Sequence, residues 1–429
     1  RSRETRACML GDRMQGSDAN KSGAEASGTG RFFRLWTVFF YTVLGAIVLA
    51  YAISWWLART SPPGPFYEFE LSPDARPGQL LRVETHRHGV PDGAVGWRIL
   101  YATTGTVGEV RLASALVVAS AGEYPAPRPV VAWAHGTTGI ARGCAPSMMS
   151  GPFDLAPAFP QVLDPGWVWV AADYTGLGTS GPHPYLVGPP QAHAVLDAVR
   201  AAGEIDRLEL ADRTVVWGHS QGGHAALWAG IVAPAYAPDI ELAGIAAVAP
   251  PTDLPRLLSV VHRRFMGRML SAYLVEAYAA VYREVDVEAR LRSFTRPLAR
   301  DIAGRCLDRA GMLASALPTL LAGPTLFREP PPNGAFAARL AENIPDKPIE
   351  APVLIAQGSR DTTVTPGVQG GFVSNRCLAG QVVDYRGFAD QGHLSIVEDD
   401  SPVPDLLLRW TRARFAGEPA PVRCLISGR

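Results

Sequence analysis

The sequence predicts an α/β fold: a mostly parallel sheet with helices on both faces, an inserted helical cap and an N-terminal transmembrane helix. Three observations carry this. Continuous apolar runs recur at Val130–Ala134, Trp167–Ala172, Val215–Trp217, Ile245–Val248 and Val353–Ala356. Unbroken apolar runs are the mark of strands buried on both faces, as in parallel sheets. Helical stretches such as Pro190–Ala202 and Gly223–Tyr236 alternate with them, which places helices on the sheet faces. The alternation breaks over 251–345. There Leu254, Leu257, Leu258 and Val261, then Leu270, Tyr273, Leu274, Ala277, Tyr278 and Val281, follow helical spacing with no strand pattern.

The chain has 429 residues, 47% hydrophobic and 19% charged, with no formal net charge. That is ample for a large core, and nothing in it points to nucleic acid as a partner. Residues 1–30 are polar and rich in Gly, Ser and Ala, and read as a disordered cytoplasmic tail. Residues 31–58 read as a membrane anchor. Leu35–Leu57 carries no charge over 23 residues, about 34 Å of helix and enough to span a bilayer. Arg31 and Arg34 precede it, Trp36 and Trp55-Trp56 mark its ends, and upstream basic residues orient the tail toward the cytoplasm. The competing reading is a cleaved signal peptide and a secreted protein. Ala50-Tyr51-Ala52 lies inside the apolar run and makes a poor cleavage site.

Residues 59–78, opening on Ser61-Pro62-Pro63-Gly64-Pro65, read as a stiff linker. Residues 79–250 form the first part of the core, beginning with antiparallel strand patterns between Gln79 and Ser120. Residues 251–345 form the cap, as against packing helices remote from any site, and 346–429 complete the core.

The chemistry centres on Gly218-His219-Ser220-Gln221-Gly222, which follows an apolar strand and opens a helix. This is the context of a nucleophile elbow, a turn so tight that only small residues fit beside the serine. A serine hydroxyl is a weak nucleophile, so it needs a base and an acid to orient that base. In this arrangement the order is Ser, acid, His. His262 and His393 lie downstream. His262 falls among arginines in the cap, whereas His393, in Asp390-Gln391-Gly392-His393, follows the strand pattern Gln381–Tyr385. His393 is the expected base. Asp361 follows Val353–Ala356 and is the expected acid, with Asp384 and Asp390 as fallbacks.

An oxyanion needs two donors. The backbone N–H of Gln221 is one. The other is expected from His135-Gly136-Thr137-Thr138-Gly139, with Thr138 favoured over Thr137 and His135 structural. Asp173 precedes the serine and is assigned to loop structure. His219 and His224 lie on the wrong side of the serine to act as base. No paired Cys or His spacing suggests a metal, and no cofactor is implied. Cys144, Cys306, Cys377 and Cys424 fall on the far side of the membrane, where disulfides persist, while Cys8 does not. Four cysteines allow three pairings, which spacing cannot separate.

These residues resemble the α/β-hydrolase superfamily, and within it the secretory lipase family typified by fungal lipase A enzymes. The resemblance rests on His135–Gly139 with Cys144-Ala145-Pro146-Ser147, Asp173-Tyr174 with Gly176, the elbow with Gly223-His224-Ala225, Gln357–Asp361, Gly392-His393 and the late Cys424. It covers about residues 80–429. It implies an α/β-hydrolase fold, a Ser220–Asp361–His393 triad, a cap over an acyl-binding tunnel, and the pairings Cys144–Cys306 and Cys377–Cys424. Three departures are Gln221, where the fungal enzymes often have a small residue, the distinct oxyanion loop, and the expected anchor, since those enzymes are secreted free. The expected function is a serine carboxylester hydrolase, a lipase or esterase, on an ester or lipid substrate. The alternatives are an acyltransferase or aminopeptidase on the same triad, or a non-enzymatic surface protein. Glu276 and Glu284 form no evident subsite for a substrate amine. The sequence leaves oligomeric state open.

Overall fold

The structure, a computed structural model, describes residues 22–206 and 208–424. Most of the expected cytoplasmic tail, Cys8 included, lies outside the described residues. The chain divides into two units, 1–57 and 58–429. The first is helix α1 (Ser22–Leu57), which starts before the position 31 expected for the anchor. Its stretch Phe33–Leu57 is apolar, with a mean hydropathy of 1.9 over 25 residues. A helix of that length and composition suits a bilayer span and equally a signal sequence.

The second unit is built on nine strands: β1 (Leu80–His86), β2 (Ala94–Thr104), β3 (Val110–Ser120), β4 (Arg128–Ala134), β5 (Val168–Ala172), β6 (Leu210–His219), β7 (Glu241–Val248), β8 (Val353–Gly358) and β9 (Val383–Phe388). They form one sheet in the order β1-β2-β3-β5-β4-β6-β7-β8-β9. The first three pair antiparallel, and β4 to β9 pair parallel. Side-chain alternation then explains the apolar runs. Val130, Ala132, Ala134 and Val216 face one core layer, while Val131, Trp133, Val215 and Trp217 face the other. Helix α2 (Phe159–Leu163) packs in the second layer, whereas α3 (Gly188–Gly203) and α4 (Gln221–Tyr236) pack in the first.

Between β7 and β8 runs a helical insertion: α5 (Leu254–Val261), α6 (Phe265–Val281), α7 (Val287–Arg290), α8 (Arg296–Ala303), α9 (Arg309–Leu321) and α10 (Gly334–Glu342). Its only strand-like contact among the described residues is a single bridge, Leu291 to Phe327. It has its own apolar core around Met269, Tyr273, Tyr278, Ile302 and Phe336, and that core closes on Tyr185–Val187 of the sheet domain. After it, α11 (Pro366–Leu378) joins the first layer and α12 (Pro402–Phe415) the second.

Segment 59–78, expected as a linker, lies packed on the body. Phe66 and Tyr67 are buried with Leu100 and Leu112, and Arg98 stacks 4.2 Å over the Phe66 ring. The Tyr67 hydroxyl meets Ser147 Oγ at 2.7 Å. Ser147 in turn donates through its N–H to Asp173 Oδ1, and Ser114 Oγ donates to Asp173 Oδ2. Asp173 therefore sits in a structural network, where burial raises its carboxyl to about 6.

Two disulfides are present, Cys144–Cys306 and Cys377–Cys424. The first joins the loop after β4 to the insertion; the second joins the end of α11 to the C-terminal segment. The second closes a loop of 47 residues. In the chain-entropy account such a loop is worth about 4 kcal/mol at most. The Cys377→Ser/Cys424→Ser double variant is expected to lose about 2–4 kcal/mol of unfolding free energy in urea. A midpoint equal to the parent's would contradict this.

Buried imidazoles hold the layers together. His224 Nε2–H donates 2.7 Å to the Asn343 carbonyl at the end of the insertion, and Asn343 Oδ1 accepts from Gly188 N–H. His183 Nδ1–H donates to the Thr175 carbonyl and His193 Nδ1–H to the Thr104 carbonyl. Burial holds His135, His193 and His224 down to about 4, and His183 and His219 to about 3. In the unfolded chain the same groups take up protons near 6.5. As pH falls through 6.5 the unfolded state binds protons that the folded state refuses, so stability is lost on acidification. Each group removes on the order of 2 kcal/mol between pH 7 and 5. The carboxyls of Asp173, Asp197, Glu276 and Asp384, which burial raises, oppose this but are outnumbered by the five imidazoles. The urea midpoint is therefore expected to collapse between about pH 6.5 and 4. A midpoint constant across that range would overturn the assignment of these histidines as buried and neutral.

Candidate active site

Ser220 stands between β6 and α4 with φ 53° and ψ −121°, a conformation that costs a non-glycine residue of order 1–3 kcal/mol. The surroundings enforce it. Ser220 N–H donates 2.9 Å to the Val248 carbonyl, and the Ser220 carbonyl accepts from His224 N–H at 3.1 Å. The two glycines of the elbow are required by closeness. A Cβ on Gly218 would lie 2.0 Å from the Gly222 carbonyl oxygen, and one on Gly222 would lie 1.7 Å from the Ala134 oxygen.

Three sequence-predicted residues meet here. His393 Nε2 lies 2.8 Å from Ser220 Oγ, and His393 Nδ1 lies 2.7 Å from Asp361 Oδ2. An ionised carboxylate only accepts, so Nδ1 carries the proton and Nε2 is free to accept from the serine hydroxyl. Asp361 is buried in the loop after β8, and its Oδ1 accepts from the N–H groups of Thr363 and Val364, each at 2.8 Å. Gln357 Nε2 donates to Oδ2 at 3.2 Å. The fallback acids stand elsewhere: Asp384 pairs with Arg386 and Arg423, and Asp390 with Arg360.

Gln221 opens α4, so its backbone N–H is among the first-turn donors that a helix leaves unpaired. The loop after β4 passes beside the nucleophile at Gly136, where a Cβ would sit 3.8 Å from Ser220 Cβ. Thr137 Oγ1 is engaged with the Tyr185 hydroxyl at 2.9 Å. Thr138 Oγ1 is buried without a partner, while its carbonyl accepts from Leu307 N–H in the insertion at 2.7 Å. The Cys144–Cys306 bond fastens this loop to the insertion next to that contact. Among the described residues no cluster of three or more His, Cys, Asp or Glu side chains is placed to hold a metal.

A narrow cavity of about 60 Å³ opens at Ser220. Leu254, Leu257 and Leu258 of α5 and Leu270 and Leu274 of α6 line it, with Val364 from the acid loop. Such a surface suits an apolar chain and offers no charge to a substrate. Glu284 pairs with Arg339, and neither Glu276 nor Glu284 lines the cavity.

Two contributors were not assigned from sequence. His219, dismissed as a base, donates through Nε2–H to the His393 backbone carbonyl at 2.8 Å, with the two rings 5.0 Å apart. It thereby fixes the position of the His393 loop. Gln221 Nε2–H donates 3.0 Å to His183 Nε2, which is an acceptor because His183 Nδ1–H is spent on the Thr175 carbonyl. His219 precedes the serine on a strand, and strand alternation alone says which way it points; the His183 contact spans 38 residues and leaves no local signal.

The chain is 26% identical over 379 residues, 80% of each sequence, to a probable inactive lipase of Mycobacterium tuberculosis. It is 25% identical over 376 residues to a secreted triacylglycerol lipase of Malassezia globosa, covering 80% of this chain and 77% of that one. Its fold matches Candida antarctica lipase A in its closed state with a TM-score of 0.67 at 19% identity, over 85% of this chain and 89% of that one. An esterase of Xanthomonas oryzae matches with a TM-score of 0.66 at 20% identity, over 80% and 100%. The fold is thus that of the α/β-hydrolases. The sequence pattern of secretory lipases runs through residues 157–422, from the end of the loop after β4 past the His393 loop, and the chain belongs to the secretory lipase family.

Proposed function

We propose that this chain is a serine carboxylester hydrolase that works through an acyl-enzyme. Ser220 Oγ attacks the ester carbonyl carbon while His393 Nε2 takes its proton. The tetrahedral oxyanion collapses, the C–O bond to the alcohol breaks, and His393 returns the proton to the leaving oxygen. Water then attacks the acyl-enzyme by the same route, which releases the acid and restores the serine. Asp361 orients the imidazole and stabilises its charged form. The Gln221 N–H is the first oxyanion donor, and Thr138, whose hydroxyl is the one in its loop without a partner, completes the hole.

The observation that carries the reading is the unbroken hydrogen-bonded line Asp361–His393–Ser220 at the mouth of an apolar cavity. Family membership alone does not carry it, since one relative is a probable inactive lipase. The apolar lining favours the acyl chain of an ester or lipid. The insertion 251–345 acts as a cap over that chain. Two disulfides favour an oxidising compartment for the catalytic unit, with helix α1 as its membrane anchor and secretion after cleavage as the alternative.

Ser220→Ala is expected to abolish both hydrolysis of p-nitrophenyl esters and labelling by a fluorophosphonate; hydrolysis at the parent rate would sink the proposal. Asp361→Asn should lower kcat by about 10⁴-fold. Thr138→Val should lower kcat by about 10²-fold with KM little changed; an unchanged kcat would move the second donor elsewhere in the loop. Each CH₂ brought into the cavity contributes about 0.8 kcal/mol, so kcat/KM should rise roughly fourfold per carbon across short acyl esters and then level. A flat series would show that the acyl chain does not enter this cavity.

A further inference from the structure

Helix α9 is packed inside out. Its inward face is small or polar: Gly311, Ala314, Ser315, Pro318 and Thr319 are buried. Its leucines point to solvent, with Leu313 65%, Leu317 39%, Leu320 62% and Leu321 61% exposed. These four stand at i, i+4, i+7 and i+8, so they share one face of the helix. The helix meets α6 and α8, and its contribution to the apolar core of the insertion is the half-buried Met312. An ordinary amphipathic helix does the reverse. Charge follows the same pattern. From Ala310 to Phe327 there are 18 residues without a charged side chain, and exposed pairs of opposite charge, Asp308-Arg309 and Arg328-Glu329, stand immediately outside that stretch.

We propose that α9 is a lipid-docking helix, lying in the plane of a bilayer with Leu313, Leu317, Leu320 and Leu321 in the acyl region and Arg309 and Arg328 at the headgroups. An uncharged apolar face flanked by arginine is the composition of interfacial helices. A soluble partner or a second copy would bury the leucines equally well. The chain's own continuity selects the occupant. The unit that carries α9 begins at Ala58, directly after an apolar helix long enough to cross a bilayer. With α1 in a membrane, the unit is tethered at a lipid surface by its own chain, and docking becomes an intramolecular event at high effective concentration. The inference is independent of the catalytic proposal, since a docked but inactive chain would satisfy it.

The test uses the full chain with Cys8→Ser, reconstituted in phosphatidylcholine vesicles. An environment-sensitive fluorophore is attached at Leu317→Cys, and separately at Val107→Cys, a residue 86% exposed in the turn between β2 and β3. Doxyl-labelled lipids are expected to quench the label at 317 severalfold more than the label at 107. The excess should vanish when Leu313→Gln, Leu320→Gln and Leu321→Gln are added. Equal quenching at the two positions would overturn the proposal. So would a label at 317 shielded from water but untouched by lipid quenchers, with shielding that grows with protein concentration, because that is the signature of a second copy. The single-cysteine variants change one exposed side chain each, so the result does not depend on the triple variant folding.

Discussion

The site depends on one strained residue. Ser220 is held at positive φ because the surrounding backbone leaves it no alternative: Val248 takes its N–H, His224 binds its carbonyl, and two glycines let β4 and α4 approach to contact distance. The strain is small beside the burial of β6 between two apolar layers. A parallel sheet buried on both faces is therefore what makes a half-buried, strained serine stable. Asp361 and His393 reach it from the ends of β8 and β9, the next two strands in the sheet beyond β7. Their order in sequence and their order across the sheet are the same, which is why three residues 32 to 173 positions apart meet.

Around that centre burial keeps the imidazoles neutral. Burial strips protons from the imidazoles of His183, His219 and His224, and each then finds a carbonyl acceptor. A charged imidazole in these places would be costly, and a neutral one with its hydrogen bond made is not. His393 differs from these in its partner, a carboxylate rather than a backbone carbonyl.

Much of this was legible in the chain itself. The strands of the parallel sheet announce themselves as apolar runs, because both of their faces are covered. The elbow, Asp361 and His393 were readable because each follows a strand within a few residues. What was not readable depends on direction or distance. Pro62, Pro63 and Pro65 suggest a stiff spacer, but the adjoining Phe66 and Tyr67 anchor that segment on the sheet. The roles of His219 and His183 arise from contacts across 174 and 38 positions. Helix α9 is the plainest case: periodicity reports that its leucines share a face, and says nothing of whether the face looks inward. Pairing of the four outer cysteines was open on spacing, and only the family resemblance selected the two bonds found.

The bond between Cys144 and Cys306 has a consequence for how the molecule is made. It joins residues 162 positions apart, one in the loop beside the nucleophile and one in the insertion. Neither half of the chain sets that loop alone. The strand that precedes it is complete long before the insertion has been synthesised, and the Leu307 to Thr138 contact has to wait for the same partner. The bond can form only once the insertion has been synthesised and an oxidant is present. Until that bond forms, the loop beside Ser220 lacks its clasp.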